Sequence, residues 1–183
     1  MTAAVGRASL DILEKRPQLF YRLARPEDFD AVCRITLDAY LDAGHFPESH
    51  PYLRILGDVE RRASLAQVWL AERDGEATGT VMLTAAGQPY TEVARDRELE
   101  FRMLAVDPAV QGLGVGRAMV RWILDHAETL GGVDAVVLTS AEYMVPAHRL
   151  YESLGFERVP SRDWSFDNSP EKDLWVFRRS VSR

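Results

Sequence analysis

The feature that most constrains this chain is a glycine-rich turn set between a strand-like and a helix-like segment. It lies in Glu98 to Arg117, ELEFRMLAVDPAVQGLGVGR. From Glu98 to Val106 the residues alternate, which predicts a strand. Strict alternation puts Leu99, Phe101, Met103 and Ala105 on one face, and Glu98, Glu100, Arg102, Leu104 and Val106 on the other. Asp107-Pro108 ends the strand, because proline lacks an N–H and biases the residue before it. Gly112, Gly114 and Gly116 follow, and Arg117-Ala-Met-Val-Arg-Trp-Ile-Leu continues as a helix. A glycine-rich loop entering a helix leaves backbone N–H groups unpaired at the positive end of the helix dipole, which suits a phosphate.

Three glycine patterns compete for that loop. A P-loop needs Gly-Lys-Ser/Thr, which is absent. A dinucleotide fingerprint needs its third glycine where Arg117 stands, and an acid at the end of the next strand. The nearest acid, Asp134, lies at that strand's start, so a nicotinamide reductase is disfavoured. The third pattern is Gln111-Gly112-Leu113-Gly114-Val115-Gly116, preceded by Leu104-Ala105-Val106-Asp107-Pro108. This pairing resembles the acyl-CoA signature of the GNAT (GCN5-related N-acetyltransferase) family. A second segment, Ala147-His-Arg-Leu-Tyr-Glu-Ser-Leu-Gly-Phe156, resembles the family's Ala-x-x-Leu-Tyr-x-x-x-Gly-Phe stretch.

The rest of the chain is in keeping with that resemblance. Its 183 residues fit one domain. Residues 1–17 are expected to be an N-terminal extension with a short helix near Ser9 to Lys15, and the domain is expected to occupy 18–183. A strand is expected at Gln18 to Arg25. A helix opens at Pro26-Glu-Asp, where proline and acids suit a first turn. After a loop at Asp42 to His50, a single helix is expected over Pro51 to Leu65, with Gly57 its weak point. Gln67 to Arg73 and Glu76 to Ala85 form a hairpin across Asp74-Gly75. Gly87 to Arg97 is a loop. Beyond the glycine-loop helix come a buried strand at Asp134 to Ser140, a helix at Pro146 to Leu154, and strands at Phe156 to Val159 and Leu174 to Arg178. The order, β-α-α-β-β-β-α-β-α-β-β, matches the GNAT arrangement. The fold class is therefore α/β: a mixed, mostly antiparallel sheet whose central parallel pair splays for CoA, flanked by helices.

Charge and cysteine content narrow the partners. The net charge is −6, with no basic run longer than Arg61-Arg62 or Arg178-Arg179, so nucleic acid is not expected. No apolar run reaches 18 residues, so no membrane span is expected either. Charges at Arg7, Asp11, Glu14, Lys15 and Arg16 argue against a secretory signal. The single Cys33 cannot form an internal disulfide and is expected to be buried and inert. A cytoplasmic protein is the expectation; a homodimer is left open.

The resemblance also assigns roles. It implies acetyl-CoA as cosubstrate, held by the main chain of Leu104, Ala105 and Val106 and by Gln111, Gly112, Leu113, Gly114, Val115, Gly116 and Arg117. Glu100 is the expected base, with Glu98 as its substitute on the same face, and Tyr151 the expected acid towards the CoA sulfur. The family's usual asparagine seven residues before that tyrosine is here Met144, which cannot make the same bond; Glu142 or Tyr143 would have to replace it. The acceptor is expected between Tyr40 to Tyr52 and Ser161 to Asn168, where rings and carboxylates suit an ammonium. Tyr40, Phe46 and Trp164 are the named candidates. His45, His50, His126 and His148 are read as surface residues rather than bases or metal ligands, and no metal site is expected. Direct transfer to an amine, a small molecule before a protein, is the favoured activity. An acyl-CoA-binding regulator without turnover is the alternative.

Overall fold

The computed structural model describes residues 18–44, 47–166 and 173–181. The N-terminal extension and its expected helix lie outside these residues. Seven strands form one sheet: β1 (Phe20–Leu23), β2 (Gln67–Arg73), β3 (Glu76–Ala85), β4 (Glu98–Val106), β5 (Ala135–Ala141), β6 (Glu157–Arg158) and β7 (Leu174–Ser180). Their spatial order is β1-β2-β3-β4-β5-β7-β6. Only β4 and β5 run parallel; the other neighbours are antiparallel. Five helices cover the sheet: α1 (Phe29–Asp42), α2 (Tyr52–Gly57), α3 (Val59–Leu65), α4 (Val115–Thr129) and α5 (Val145–Ser153). The expected fold class is the observed one. The β2–β3 turn has positive φ at both Asp74 (54°) and Gly75 (84°), as a tight Asp-Gly hairpin requires.

The expected single helix over Pro51 to Leu65 is two. The chain breaks at Asp58 (φ −81°, ψ 69°), and the Asp58 side chain accepts a hydrogen bond from the Arg61 amide, starting α3. A capping aspartate after a glycine outweighs the continuous apolar pattern.

Two apolar layers sandwich the sheet. On one face α4 buries Met119, Val120 and Ile123 against Val81, Leu83, Leu99, Phe101 and Leu138. On the other, Val32 of α1, Leu56 and Val59 pack on Val68, Leu70, Met82 and Met103. Met103 thus lies on the face opposite Leu99 and Phe101, contrary to strict alternation. The cause is a β-bulge. Thr80 pairs with Ala105 and Met82 with Arg102, so two steps on β3 face three on β4. Met103 takes up the extra residue in a left-handed conformation (φ 54°). Past the bulge, Leu104 and Val106 turn to the α4 face. They therefore do not share the face of Glu100, whose register partner Thr84 lies on the Met82 side.

α4 sits close to the sheet because β3 carries Gly79 beneath it. A Cβ there would lie 2.5 Å from Met119 Sδ and 3.1 Å from the Ala105 carbonyl oxygen. The thioether can swing aside; the carbonyl belongs to the strand. Gly79→Val should therefore cost about 1–3 kcal/mol by overpacking, read as a lower midpoint in urea unfolding. An unchanged midpoint would show that α4 has slack to retreat.

Candidate active site

Parallel pairing between β4 and β5 spans only Glu98↔Ala135, Leu99↔Val136 and Glu100↔Val137. β5 continues to Ala141 on β7, whereas β4 continues through its bulge on β3. A wedge opens between them from Phe101 onwards, with one edge of β4 left without a strand partner. Buried amides of this kind require a partner. At the end of the wedge, Asp107 accepts a hydrogen bond from the Ala109 amide (2.9 Å) and pairs with Arg34 of α1 (2.8 Å). The loop then passes through Gly112 (φ 79°) and Gly114 (φ 83°), and Gly114 begins the 15-residue α4 with no side-chain cap. The first amides of α4 are thus left for a ligand.

A groove of about 480 Å³ follows this wedge. Its walls include Leu104, Ala105, Val106, Gln111 and Gly112, and Gly114 to Arg117 close one end. Leu113 is not part of the wall and is 54% exposed. Arg117 lines the groove while its Nη2 donates to Ser153 Oγ of α5 (2.9 Å). On the far side of β4 lies a smaller cavity of about 150 Å³, with Tyr52, Glu92, Arg102, Tyr143 and Phe166 among its walls. Tyr40, Leu104, Met144 and Tyr151 border both spaces. A long cofactor in the groove and a compact acceptor in the cavity would meet at these four residues.

Tyr151 is almost fully buried, its ring against Phe101, Phe156 and Phe177. Desolvation pushes its phenol well above the usual range. Its hydroxyl is therefore neutral and carries its proton at neutral pH.

The acids are arranged differently from expectation. Glu100 is fully buried and does not border the cavity. Its carboxylate accepts hydrogen bonds from the amides of Glu92 (3.3 and 3.1 Å), Val93 (3.0 Å) and Ala94 (2.9 Å). Glu98 is clamped by Arg162 (2.8 Å) and Arg178 (2.7 Å), which hold its carboxyl at about 2 against the opposing cost of burial. Such an acid is a poor proton acceptor at neutral pH. Two acids line the cavity instead, Asp173 ahead of β7 and Glu92 from the loop before β4, and Glu92 is the one set beside Arg102 and Glu100. Burial pushes Glu92 up to about 7; Arg102, which bonds it, works against that, and the Glu100 charge adds to it. Its side chain keeps 21% exposure. Nothing in the sequence around Glu92 marks it, because its setting is made by a fold-back of the loop.

The acceptor candidates divide. Tyr40 borders the cavity, 6.3 Å from the Tyr52 ring, and Tyr52 is 6.2 Å from Phe166. Trp164 does not border it; its ring packs edge-on to Phe166 (4.9 Å) and its Nε1 donates to Thr139 Oγ1 (3.4 Å). Phe46 and His45 lie outside the described residues. Met144 caps the start of α5 and borders both spaces with an apolar side chain. His148 is buried, not on the surface: it stacks on Trp175 (5.1 Å) and shares a hydrogen bond with Ser140 Oγ (3.1 Å). His126 is part of an aromatic stack with Trp122 and Trp69. Among the described residues no group of histidine, cysteine and acid side chains could hold a metal, and no helix is long and apolar enough to cross a membrane.

Comparison with known proteins identifies the architecture. Residues 29–156 match the acetyltransferase (GNAT) family model. The chain belongs to the GNAT family. It is 42% identical over 93 residues to a mycothiol acetyltransferase of Thermomonospora curvata, covering 51% of this chain and 28% of that protein. It is 36% identical over 91 residues to an N-acetylaspartate synthetase of Danio rerio, covering 50% of this chain and 29% of that protein. The matches thus span less than a third of either relative. Among solved structures, yncA of Salmonella typhimurium, determined with acetyl-CoA, superposes with a TM-score of 0.63 at 22% identity, covering 90% of this chain and 95% of that one.

Gly114 offers a test of the groove. It opens α4 in the left-handed region (φ 83°), where any side chain is strained. Gly114→Val should weaken CoA binding at least about tenfold in calorimetric titration, beyond the lowering of the melting midpoint that the strained backbone brings by itself. Retained affinity would place the diphosphate elsewhere.

Proposed function

We propose that this protein is an N-acetyltransferase that moves the acetyl group of acetyl-CoA directly to a small primary amine. The observation that carries this reading is the meeting of groove and cavity at Tyr151. The phosphates would rest on the amides of Gln111 to Arg117, and the pantetheine would bond the free edge of β4 as an added strand. The thioester would then lie at the border of the cavity. An amide of the Leu104 to Val106 stretch is the oxyanion donor.

The reaction needs a neutral amine, and with a reference pKa of ~10.4 only about one in a few thousand is neutral at pH 7. Glu92 takes the proton from the bound ammonium. The nitrogen lone pair attacks the thioester carbon, and the tetrahedral oxyanion collapses with loss of the C–S bond while the nitrogen gives up its second proton to solvent. Tyr151 gives its proton to the departing thiolate, and solvent restores both groups. Glu92 takes here the role that the sequence suggested for Glu100, because its carboxyl and not that of Glu100 borders the acceptor space. Direct transfer is supported by Cys33, which packs beside the α1 core layer and borders neither space.

The cavity suits a compact cationic acceptor. Four tyrosines line it, Tyr40, Tyr52, Tyr143 and Tyr151, and two carboxyls, Glu92 and Asp173, outnumber its one arginine. Both curated relatives above are named for small molecules, mycothiol and N-acetylaspartate, which favours a small acceptor over a protein.

A colorimetric thiol assay with acetyl-CoA tests this against tyramine, phenethylamine, cadaverine, glucosamine, aspartate and a lysine peptide. Free thiol should appear with one or more of the small amines. Release with the peptide alone would make the acceptor a protein. Saturable CoA binding with no release across the panel would favour a non-catalytic acyl-CoA binder. Glu92→Gln should lower kcat about 100- to 1,000-fold. The wild-type rate should climb as pH rises through about 7, where Glu92 ionises, and Glu92→Gln should abolish that limb. Tyr151→Phe should lower kcat roughly tenfold or more with KM little changed.

A further inference from the structure

Two acids of β4, Glu98 and Glu100, point into the loop that carries Glu92, and both are used up there. Three successive amides, of Glu92, Val93 and Ala94, converge on the Glu100 carboxylate at 2.9 to 3.3 Å. Glu98 accepts from the Arg95 amide (3.0 Å) and holds Arg162, which in turn donates to the Val93 carbonyl. The loop has no strand partner of its own between residues 87 and 97. An isolated buried carboxylate is expensive, and amide donors on a charged acceptor are among the stronger hydrogen bonds. We infer that Glu100 is a positioning residue: its carboxylate gathers the Glu92–Ala94 amides into a clasp that folds the loop back and delivers the Glu92 carboxyl to the acceptor cavity. This rests on Glu92 being the base.

The clasp does two things at once. It fixes where the Glu92 carboxyl lies, and it places a like charge behind it. The groups facing Glu92 are Arg102 and Glu100 from β4, Tyr52 from α2, and Tyr143 and Asp173 across the cavity. Arg102 bonds the Glu92 carboxyl and the Tyr90 carbonyl (2.6 Å), and its Nε is 3.9 Å from Glu100 Oε1, so both acids draw on one guanidinium. Removing the Glu100 charge leaves that guanidinium to Glu92 and takes away the repulsion. Ionised Glu92 is favoured on both counts.

The test is carbon-13 NMR titration of the glutamate carboxyls in the full chain, with Glu92 assigned by its loss in Glu92→Gln. In Glu100→Gln the Glu92 midpoint should fall by roughly half a pH unit or more, and kcat with the fastest amine of the panel should fall roughly 10- to 100-fold through misplacement. The double variant Glu92→Gln/Glu100→Gln should be scarcely slower than Glu92→Gln alone. If Glu100 only supports the fold, its replacement lowers the melting midpoint and leaves the Glu92 titration where it was; that result overturns the clasp while Glu92→Gln still removes the pH limb. Should Glu92→Gln keep its rate and its limb, the base assignment itself fails. Wild-type amide exchange gives a check that needs no variant. The Glu92, Val93 and Ala94 amides should exchange slowly for a loop, and fast exchange at all three would refute the clasp.

Discussion

The structure depends on the parting of two parallel strands. β4 and β5 share three register pairs and then separate, because β4 bulges at Met103 while β5 stays with β7. A strand edge inside a protein is costly unless something bonds it. Leaving this edge open is tolerable if a ligand completes it. The wedge also sets the geometry of everything near it. α4 follows β4 after the short loop of residues 107–114, so the helix start that can take phosphate and the strand edge that can take an extended chain form one continuous groove.

The bulge matters as much as the wedge. By inserting one residue it turns Leu104 and Val106 towards α4 and Met103 towards α1. Without it, Met103 and Ala105 would face the groove's helix side. A left-handed methionine costs on the order of 1 kcal/mol, held in place by paired residues on both sides. The charged residues of β4 behave in a similar way. Glu98 and Glu100 are bound up in the loop and the last strands, where they hold neighbouring backbone and side chains in place.

What could be read from the sequence is what local chemistry fixes. Gly112 and Gly114 need positive φ, Asp107-Pro108 stops a strand, and Asp74-Gly75 turns a hairpin; each leaves a mark within a few residues. Tyr151 was legible because its spacing to Gly155 and Phe156 is a pattern. The bulge was not, since Leu99, Phe101, Met103 and Ala105 satisfy strict alternation equally well. The break before α3 was legible only as a weak point at Gly57, since its cause, the Asp58 side chain capping a new helix, acts one residue later. His148 looks like any helix-surface histidine until Trp175 arrives from β7, a strand 20-odd residues later in the chain. Glu92 is the extreme case. Its partners Arg102 and Glu100 lie on the next strand, and only the fold-back of the loop brings the carboxyl of this exposed loop residue beside them.

That placement gives Glu92 a property an isolated acid lacks. With Glu92 and Glu100 both ionised beside a single Arg102, the pocket floor carries one uncompensated negative charge, and burial makes that state costly. A proton relieves it; burial foremost, with the Glu100 charge adding and Arg102 opposing, pushes the group up to about 7. An incoming ammonium relieves it equally well. In the proposed mechanism, acceptor binding and ionisation of Glu92 therefore favour each other, so that the base would form as an ammonium acceptor arrives. Transfer of the ammonium proton to Glu92 then returns the floor to its preferred charge while freeing the nitrogen lone pair. The same repulsion that disfavours the empty ionised site thus works towards the neutral amine that attack requires, and a neutral small molecule of the same shape gains none of it.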